Sequence, residues 1–127
     1  MNGTRFMFDT NAIISLLQGN PSINNVLLNT EFIATSVIKV LEFLSFPNLN
    51  SPDKALFYEL ISRITISSIP NNNQKLLEAV AEIRKTSKVK LPDAIIAATA
   101  ISNNAILITN DKGLSKIHLL QTLVFSE

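Results

Sequence analysis

Arg5-Phe6-Met7-Phe8-Asp9-Thr10-Asn11, read RFMFDTN, is the stretch on which the fold of this chain turns. Arg5 to Phe8 is a short, mainly apolar run that reads as a buried strand. It ends on an acid, a polar pair comes next, and Ala12, Ile13, Leu16 and Leu17 then take up helical spacing. Asp9 therefore falls at the carboxyl end of a first strand. In open α/β sheets ligands bind at that edge, because strand ends and helix N-termini open there onto a crevice. An acid so placed is a candidate for chemistry.

Working outward, Gly19 stops the first helix and Pro21 opens a second that runs to near Asn29. Phe32 to Thr35 reads as a second strand, closed by Ser36, which can cap the next helix. Val37 to Phe46 is apolar on almost every side except at Lys39, Glu42 and Ser45, the pattern of a buried or interface helix, and Pro47 ends it. Ser51-Pro52 starts another helix, with Leu56, Phe57, Leu60, Ile61 and Ile64 as its apolar stripe. Thr65 to Ile69 is a third strand ended by Pro70. Asn71 to about Thr86 is amphipathic, with Leu76, Leu77, Val80 and Ile83 inward and Lys75, Glu78, Glu82 and Lys85 outward. Pro92 opens a helix so rich in alanine (Ala94, Ala97, Ala98, Ala100) that it must lie close to a sheet. Ala105 to Thr109 is a fourth strand, Asn110 to Gly113 a turn, and Leu123 to Phe125 a last strand. Near-continuous apolar strands alternating with helices predict a three-layer α/β/α sandwich around a mainly parallel sheet of four to five strands.

The length of 127 residues fits one domain with a real core, here taken as residues 1–127. With 46% apolar and 17% charged residues the chain reads as well buried, and its positive mean hydropathy is compatible with some surface being covered by another copy or a partner. A net charge of +1 gives no global pull on a polyanion, so any nucleic-acid binding must come from local clusters. The absence of cysteine excludes disulfides, thiolate catalysis and thiolate zinc sites. No start resembling a leader and no apolar stretch of bilayer length is present, which predicts a soluble, cytoplasmic protein without membrane attachment.

Four acids stand at comparable places: Asp9 after the first strand, Glu42 in the apolar helix after the second, Asp93 at the start of the alanine-rich helix, and Asp111 after the fourth strand. Each has an ordinary explanation when taken alone. Asp9 can be an N-cap, Glu42 a surface ion pair with Lys39, Asp93 a complement to the helix dipole, and Asp111 a turn residue. Together they weigh differently, because strand ends and helix starts in a parallel sheet point to one edge. Like charges gathered there need a cation to remain ionised. Oxygen-only ligands favour Mg²⁺ or Mn²⁺ over Zn²⁺, and an ion of that kind amid carboxylates is the machinery of phosphodiester hydrolysis.

Asp9-Thr10-Asn11, Ser36-Val37-Ile38 with Glu42, Leu91 to Ala100 around Asp93, and Thr109 to Gly113 resemble, in order and spacing, the PIN-domain proteins, in particular the toxin ribonucleases of bacterial VapBC toxin–antitoxin pairs. The resemblance covers essentially the whole chain. It implies a Mg²⁺- or Mn²⁺-dependent endoribonuclease acting on RNA, a homodimer, and a cognate antitoxin protein as inhibitor. Carried over by residue, Asp9, Glu42, Asp93 and Asp111 are the expected acidic quartet. Asp9, Asp93 and Asp111 are the expected metal ligands, and Glu42 would orient a water or a second ion. Asn11 and Thr109 are supporting residues. One departure is Lys39, where many relatives carry a threonine; if it reaches the site it ties up Glu42. That departure keeps open an alternative, a catalytically weak or inactive PIN-fold module that binds nucleic acid or protein. A phosphotransfer enzyme with Asp9 as nucleophile is disfavoured, since no second acid stands two positions on.

Arg84, Lys85, Lys88 and Lys90 precede Asp93, and Lys112 and Lys116 come after Asp111. Lys88, Lys90 and Lys112 are the candidates for holding phosphates, the alternative being a solvated helix end and loop. His118, among Ile117, Leu119 and Leu120, reads as a structural histidine. Phe43, Leu44 and Phe46 are divided between core and a dimer face.

Overall fold

The computed structural model describes residues 4–26, 30–68 and 72–125. Five strands, β1 (Thr4–Phe8), β2 (Thr30–Ser36), β3 (Thr65–Ser67), β4 (Ile106–Thr109) and β5 (Thr122–Val124), form one sheet in the order β3-β2-β1-β4-β5. All neighbouring strands run parallel. Parallel neighbours require crossovers. Helices α1 (Thr10–Leu17) and α2 (Pro21–Val26) supply the first, α3 (Val37–Leu44) and α4 (Ser51–Ile61) the second, and α5 (Gln74–Ser87) and α6 (Leu91–Ser102) the third. A short 3-10 helix, Lys112–Lys116, joins β4 to β5.

The three layers arise from the pleat. Phe6 and Phe8 point to one face, where they meet Ala12, Ile13, Val40, Phe43 and Phe57. Met7 points to the other, with Ala34 and Leu107, against Leu76, Val80 and Ile83 of α5 and the alanines of α6. In register, Phe6, Met7 and Phe8 pair with Ile106, Leu107 and Ile108 of β4. On the other side Arg5, Phe6 and Met7 pair with Phe32, Ile33 and Ala34 of β2. The alanines do what their size predicts: Ala94, Ala97, Ala98 and Ala100 are essentially inaccessible, so α6 comes down close on the sheet.

The elements match the expected order, with local differences. Strand β2 is longer than expected, reaching Thr30 and Ser36, and α3 stops at Leu44 with Ser45 as its cap. Helix α4 is capped by Asn50, whose side chain accepts from the Asp53 N–H, and α5 starts at Gln74 because Asn73 caps it. The helix end expected near Asn29, the strand end at Ile69-Pro70 and the helix start at Asn71 lie outside the described residues. Leu77 is exposed, because Leu76, Val80 and Ile83 already fill the buried stripe of α5. Leu56 is exposed as well, α4 resting instead on Phe57, which stacks on Phe43 with centroids 4.0 Å apart. Phe43 is core and Phe46, beyond the helix end, is exposed. His118, read as a structural histidine, lies exposed on the surface. Among the described residues no helix is long and apolar enough to cross a membrane.

Candidate active site

The sheet order places β1 beside both β2 and β4, so its carboxyl end is the point where the chain departs to opposite sides. Crevices in open parallel sheets form at such switch points. Asp9 occupies it. The residue is 4% exposed, and its N–H donates to the Ile108 carbonyl at 3.0 Å, so the turn after β1 is pinned to β4. Its carboxylate has two jobs at once. Oδ1 accepts from the Thr10 N–H at 2.8 Å, which caps α1, and Oδ2 accepts from the Thr109 hydroxyl at 2.7 Å.

Thr109, the last residue of β4, ties the two central strand ends together. Its oxygen also accepts from the Asp111 N–H at 3.0 Å and from Asn11 Nδ2 at 3.5 Å. Asn11 in turn accepts from the Asn110 N–H through Oδ1 at 3.2 Å, so the first and last turns of the site are cross-linked by side chains. Behind them the Thr35 hydroxyl donates to the Phe8 carbonyl at 2.7 Å and fixes β2 to the end of β1.

Glu42 and Asp93 arrive from α3 and α6. Ser36 caps α3 by accepting the Ile38 N–H, which sets the helix so that Lys39 and Glu42 lie one turn apart on the side facing Asp9. Asp93 sits in the first turn of α6, after Pro92. The Lys39 ammonium joins the three acids, lying 3.1 Å from Asp9 Oδ1, 3.1 Å from Glu42 Oε1 and 2.8 Å from Asp93 Oδ1. Glu42 Oε1 also accepts from the Thr10 hydroxyl at 3.1 Å. The Lys39–Glu42 pair expected at the surface is therefore not a surface pair: Lys39 is 3% exposed and its nitrogen sits at the centre of the cluster. Burial pulls its pKa down, but the carboxylates of Asp9 and Asp93 outweigh that effect and hold the ammonium above its ordinary value. It is charged throughout the neutral range.

Asp111 stands on the adjoining turn. Its Oδ1 accepts from the Gly113 N–H at 2.9 Å and caps the 3-10 helix, an arrangement that leaves little room for a side chain at residue 113. Lys39 bridges Asp9, Glu42 and Asp93 but not Asp111. Of the four acids, three are thus gathered on one cation, and the fourth is tied to them only by its backbone N–H, which donates to the Thr109 hydroxyl oxygen, while its carboxylate turns to Gly113. Lys88, Lys90 and Lys112 are all exposed. Lys88 ends α5 in the left-handed conformation, Lys90 precedes α6 and Asp93, and Lys112 comes directly after Asp111, so all three flank segments that carry the acids.

The donor set is one that a hard divalent ion favours. The arrangement is not, because the position such an ion would take among Asp9, Glu42 and Asp93 is filled by an ammonium. Among the described residues no group of three or more acidic, histidine or cysteine side chains is open to a metal ion. Sequence reasoning misses Thr10 and Thr35. The signal for Thr10 is its place beside Asp9, at the start of a helix directed toward the acids, whereas Thr35 carries no local signal.

A protein-family model described as PIN domain matches residues 6–119. No significant match is found among curated proteins. Among solved structures, VapBC2 from Rickettsia felis, bound to a DNA fragment from its promoter, is similar at a TM-score of 0.81 and 23% identity, covering 97% of this chain and 100% of that one. A toxin–antitoxin complex from Klebsiella pneumoniae is similar at 0.76 and 28% identity, covering 95% and 98%. VapBC-1 from nontypeable Haemophilus influenzae is similar at 0.76 and 27% identity, covering 94% and 97%.

Proposed function

The chain belongs to the PIN-domain family, and from that premise we propose that it is a ribonuclease, the toxin of a toxin–antitoxin pair, hydrolysing phosphodiester bonds of cytoplasmic RNA. The observation that carries the reading is the convergence of Asp9, Glu42 and Asp93, from three separate elements, on one point at the carboxyl edge of the sheet. A structural role alone needs no such meeting, since α1 is capped by one oxygen of Asp9 and α6 already starts at Pro92. Mg²⁺ or Mn²⁺ is the proposed cofactor, on the chemistry of the oxygen donors. Asp9 and Asp93 are proposed as its ligands with Asp111 joining them, Glu42 as the residue that orients the attacking water, and Asn11 and Thr109 as the side chains that hold the acids in place. Lys88, Lys90 and Lys112 are proposed to contact phosphates of the RNA.

An antitoxin partner is proposed from the complexes to which this fold is similar. An apolar groove of about 260 Å³ between α1, α3 and α4, lined by Ile14, Leu17, Phe43, Phe46 and Leu56 with Asp53 at its edge, supports it, since it has room for an apolar anchor side chain of a partner segment. A homodimer is proposed on the same family grounds, with exposed Leu41 and Tyr58 among the apolar side chains that it would cover.

The test is cleavage of a single-stranded RNA by the purified chain with Mn²⁺. Wild type should cut, and Asp9→Asn and Asp93→Asn should each lose about a hundredfold or more of the rate. Equal rates in all three proteins would sink the reading. A second reading, a PIN-fold module that binds RNA or protein without cutting, is favoured by the Lys39 ammonium in the pocket; it predicts RNA binding with no cleavage under any divalent ion.

A further inference from the structure

We infer that Lys39 is a resident cation: its ammonium fills the place in the acidic pocket that a divalent ion would take, and keeps the affinity of this chain for such ions low until it is displaced. The inference rests on the reading of this pocket as the nuclease site, although its test does not use cleavage.

Three observations carry it. The ammonium has three N–H donors and no acceptor, and three carboxylate oxygens, from Asp9, Glu42 and Asp93, stand within 2.8 to 3.1 Å of it. One N–H donates to Asp93 Oδ1, and the Asp9 and Glu42 oxygens stand at ion-pair distance, so the ammonium is ringed by the carboxylates that an ion would need. The nitrogen is at the centre of the pocket and not at its rim, since the Lys39 side chain is only 4% exposed while Glu42 is 38% and Asp93 20% exposed. A magnesium ion needs carboxylate oxygens at about 2.0–2.1 Å, a distance at which it would collide with the nitrogen those same oxygens hold. Finally, Lys39 is tethered to α3, whose N-terminus is fixed by the Ser36 cap. A cation delivered by a tether competes at high effective concentration against one that must arrive from solution.

The pocket is nonetheless not neutralised. One ammonium against three carboxylates leaves the group formally negative. A divalent ion is therefore still attracted toward Glu42 and Asp93 from the solvent side, and Lys39, on a flexible four-carbon stem, is the group that must yield. Lys39 is thus a determinant of ion affinity that acts through the carboxylates, a positioning residue and not a catalytic one.

Titration calorimetry with Mn²⁺ on the full chain tests this with wild type, Lys39→Met and the double variant Lys39→Met/Asp93→Asn. Methionine keeps an unbranched apolar stem and removes the charge. Lys39→Met should bind Mn²⁺ about a hundredfold more tightly than wild type, and the double variant should lose that gain. A folded Lys39→Met that binds no more tightly than wild type overturns the inference, and so does a double variant that keeps the gain, because the ion would then be bound elsewhere. Should Lys39→Met not fold, ¹⁵N spectra of the lysine ammonium groups in wild type decide. The protected Lys39 signal should persist through about 1 mM Mg²⁺, and its loss at micromolar Mg²⁺ overturns the inference. Tighter Mn²⁺ binding by the variant with no RNA cleavage by either protein would refute the nuclease reading and leave the role of Lys39 standing. Cleavage with equal Mn²⁺ affinity would do the reverse.

Discussion

Thr109 is fully buried at the end of β4, and its one hydroxyl serves Asp9, Asp111 and Asn11 together. Thr109→Val keeps the shape and removes the oxygen, leaving a buried carboxylate oxygen of Asp9 and the Asp111 N–H without that partner. The cost should be about 1–3 kcal/mol, because a group stranded in the interior forfeits its solvation, and urea denaturation of the two proteins measures it. A loss well below that range would mean that water replaces the hydroxyl. Asp9 shows how far single residues are legible. Its two expected roles, helix cap and site acid, look like alternatives in the sequence, and in the structure one carboxylate serves both, Oδ1 capping α1 and facing the Lys39 ammonium while Oδ2 is held by Thr109. Lys39 shows the limit. Its spacing from Glu42 announces an i,i+3 pair, which is a local pattern, but its shortest contact is to Asp93, 54 positions away. No periodicity reports on a partner so distant.

Helix α6 is the most legible element, because alanine content states directly how near a helix can come to its neighbours. It packs between α5 and the strands β1, β2 and β4, and Ala97 has no accessible surface. Ala97→Leu would add three carbons where no space exists, so it should destabilise by about 1–3 kcal/mol through displaced side chains and backbone. Leu77→Ala on the exposed face of the neighbouring α5 should change stability by less than about 0.5 kcal/mol. Thermal or chemical melts of the pair check the contrast, and similar losses for both would refute the close packing of α6. Helix α5 also shows how a stripe is read too wide. Leu76 and Leu77 are adjacent, so both fit a broad apolar stripe, but a helix turns about 100° between them and only Leu76 reaches the core. Helix α4 is blurred in the same way, with apolar residues on several sides and only Phe57 fully buried among them. Helix α4 borders the groove that Phe46 helps to line, where burial depends on the neighbouring elements and not on the helix alone.

At the scale of the whole molecule, the strand order decides which residues meet. Placing β1 between β2 and β4 brings an acid from residue 9 beside elements that begin near residues 37 and 91, and alternation of strands with helices is enough to foresee that edge, though not which oxygens share a cation. The same arrangement divides charge. The chain as a whole carries +1, the pocket of three acids and Lys39 is formally negative, and Lys88, Lys90 and Lys112 stand exposed beside the acid-bearing segments. A polyanion approaching such a surface gains little from net charge and must be held by these few cations. Each phosphate neutralised on a single strand releases counterions worth a slope of about −0.7 in log K against log salt concentration. Replacing Lys88, Lys90 and Lys112 together by alanine should therefore flatten that slope by about 2 and weaken RNA binding most at low salt. Fluorescence anisotropy of a labelled single-stranded RNA, titrated with wild type and the triple variant across a salt series, gives both quantities. The substituted residues are solvent-facing, so thermal melts of the two proteins should coincide and exclude unfolding as the cause. An unchanged slope would place the RNA on another surface. A flattened slope with cleavage still supported at low salt would separate holding the strand, which belongs to the lysines, from cutting it, which belongs to the acids.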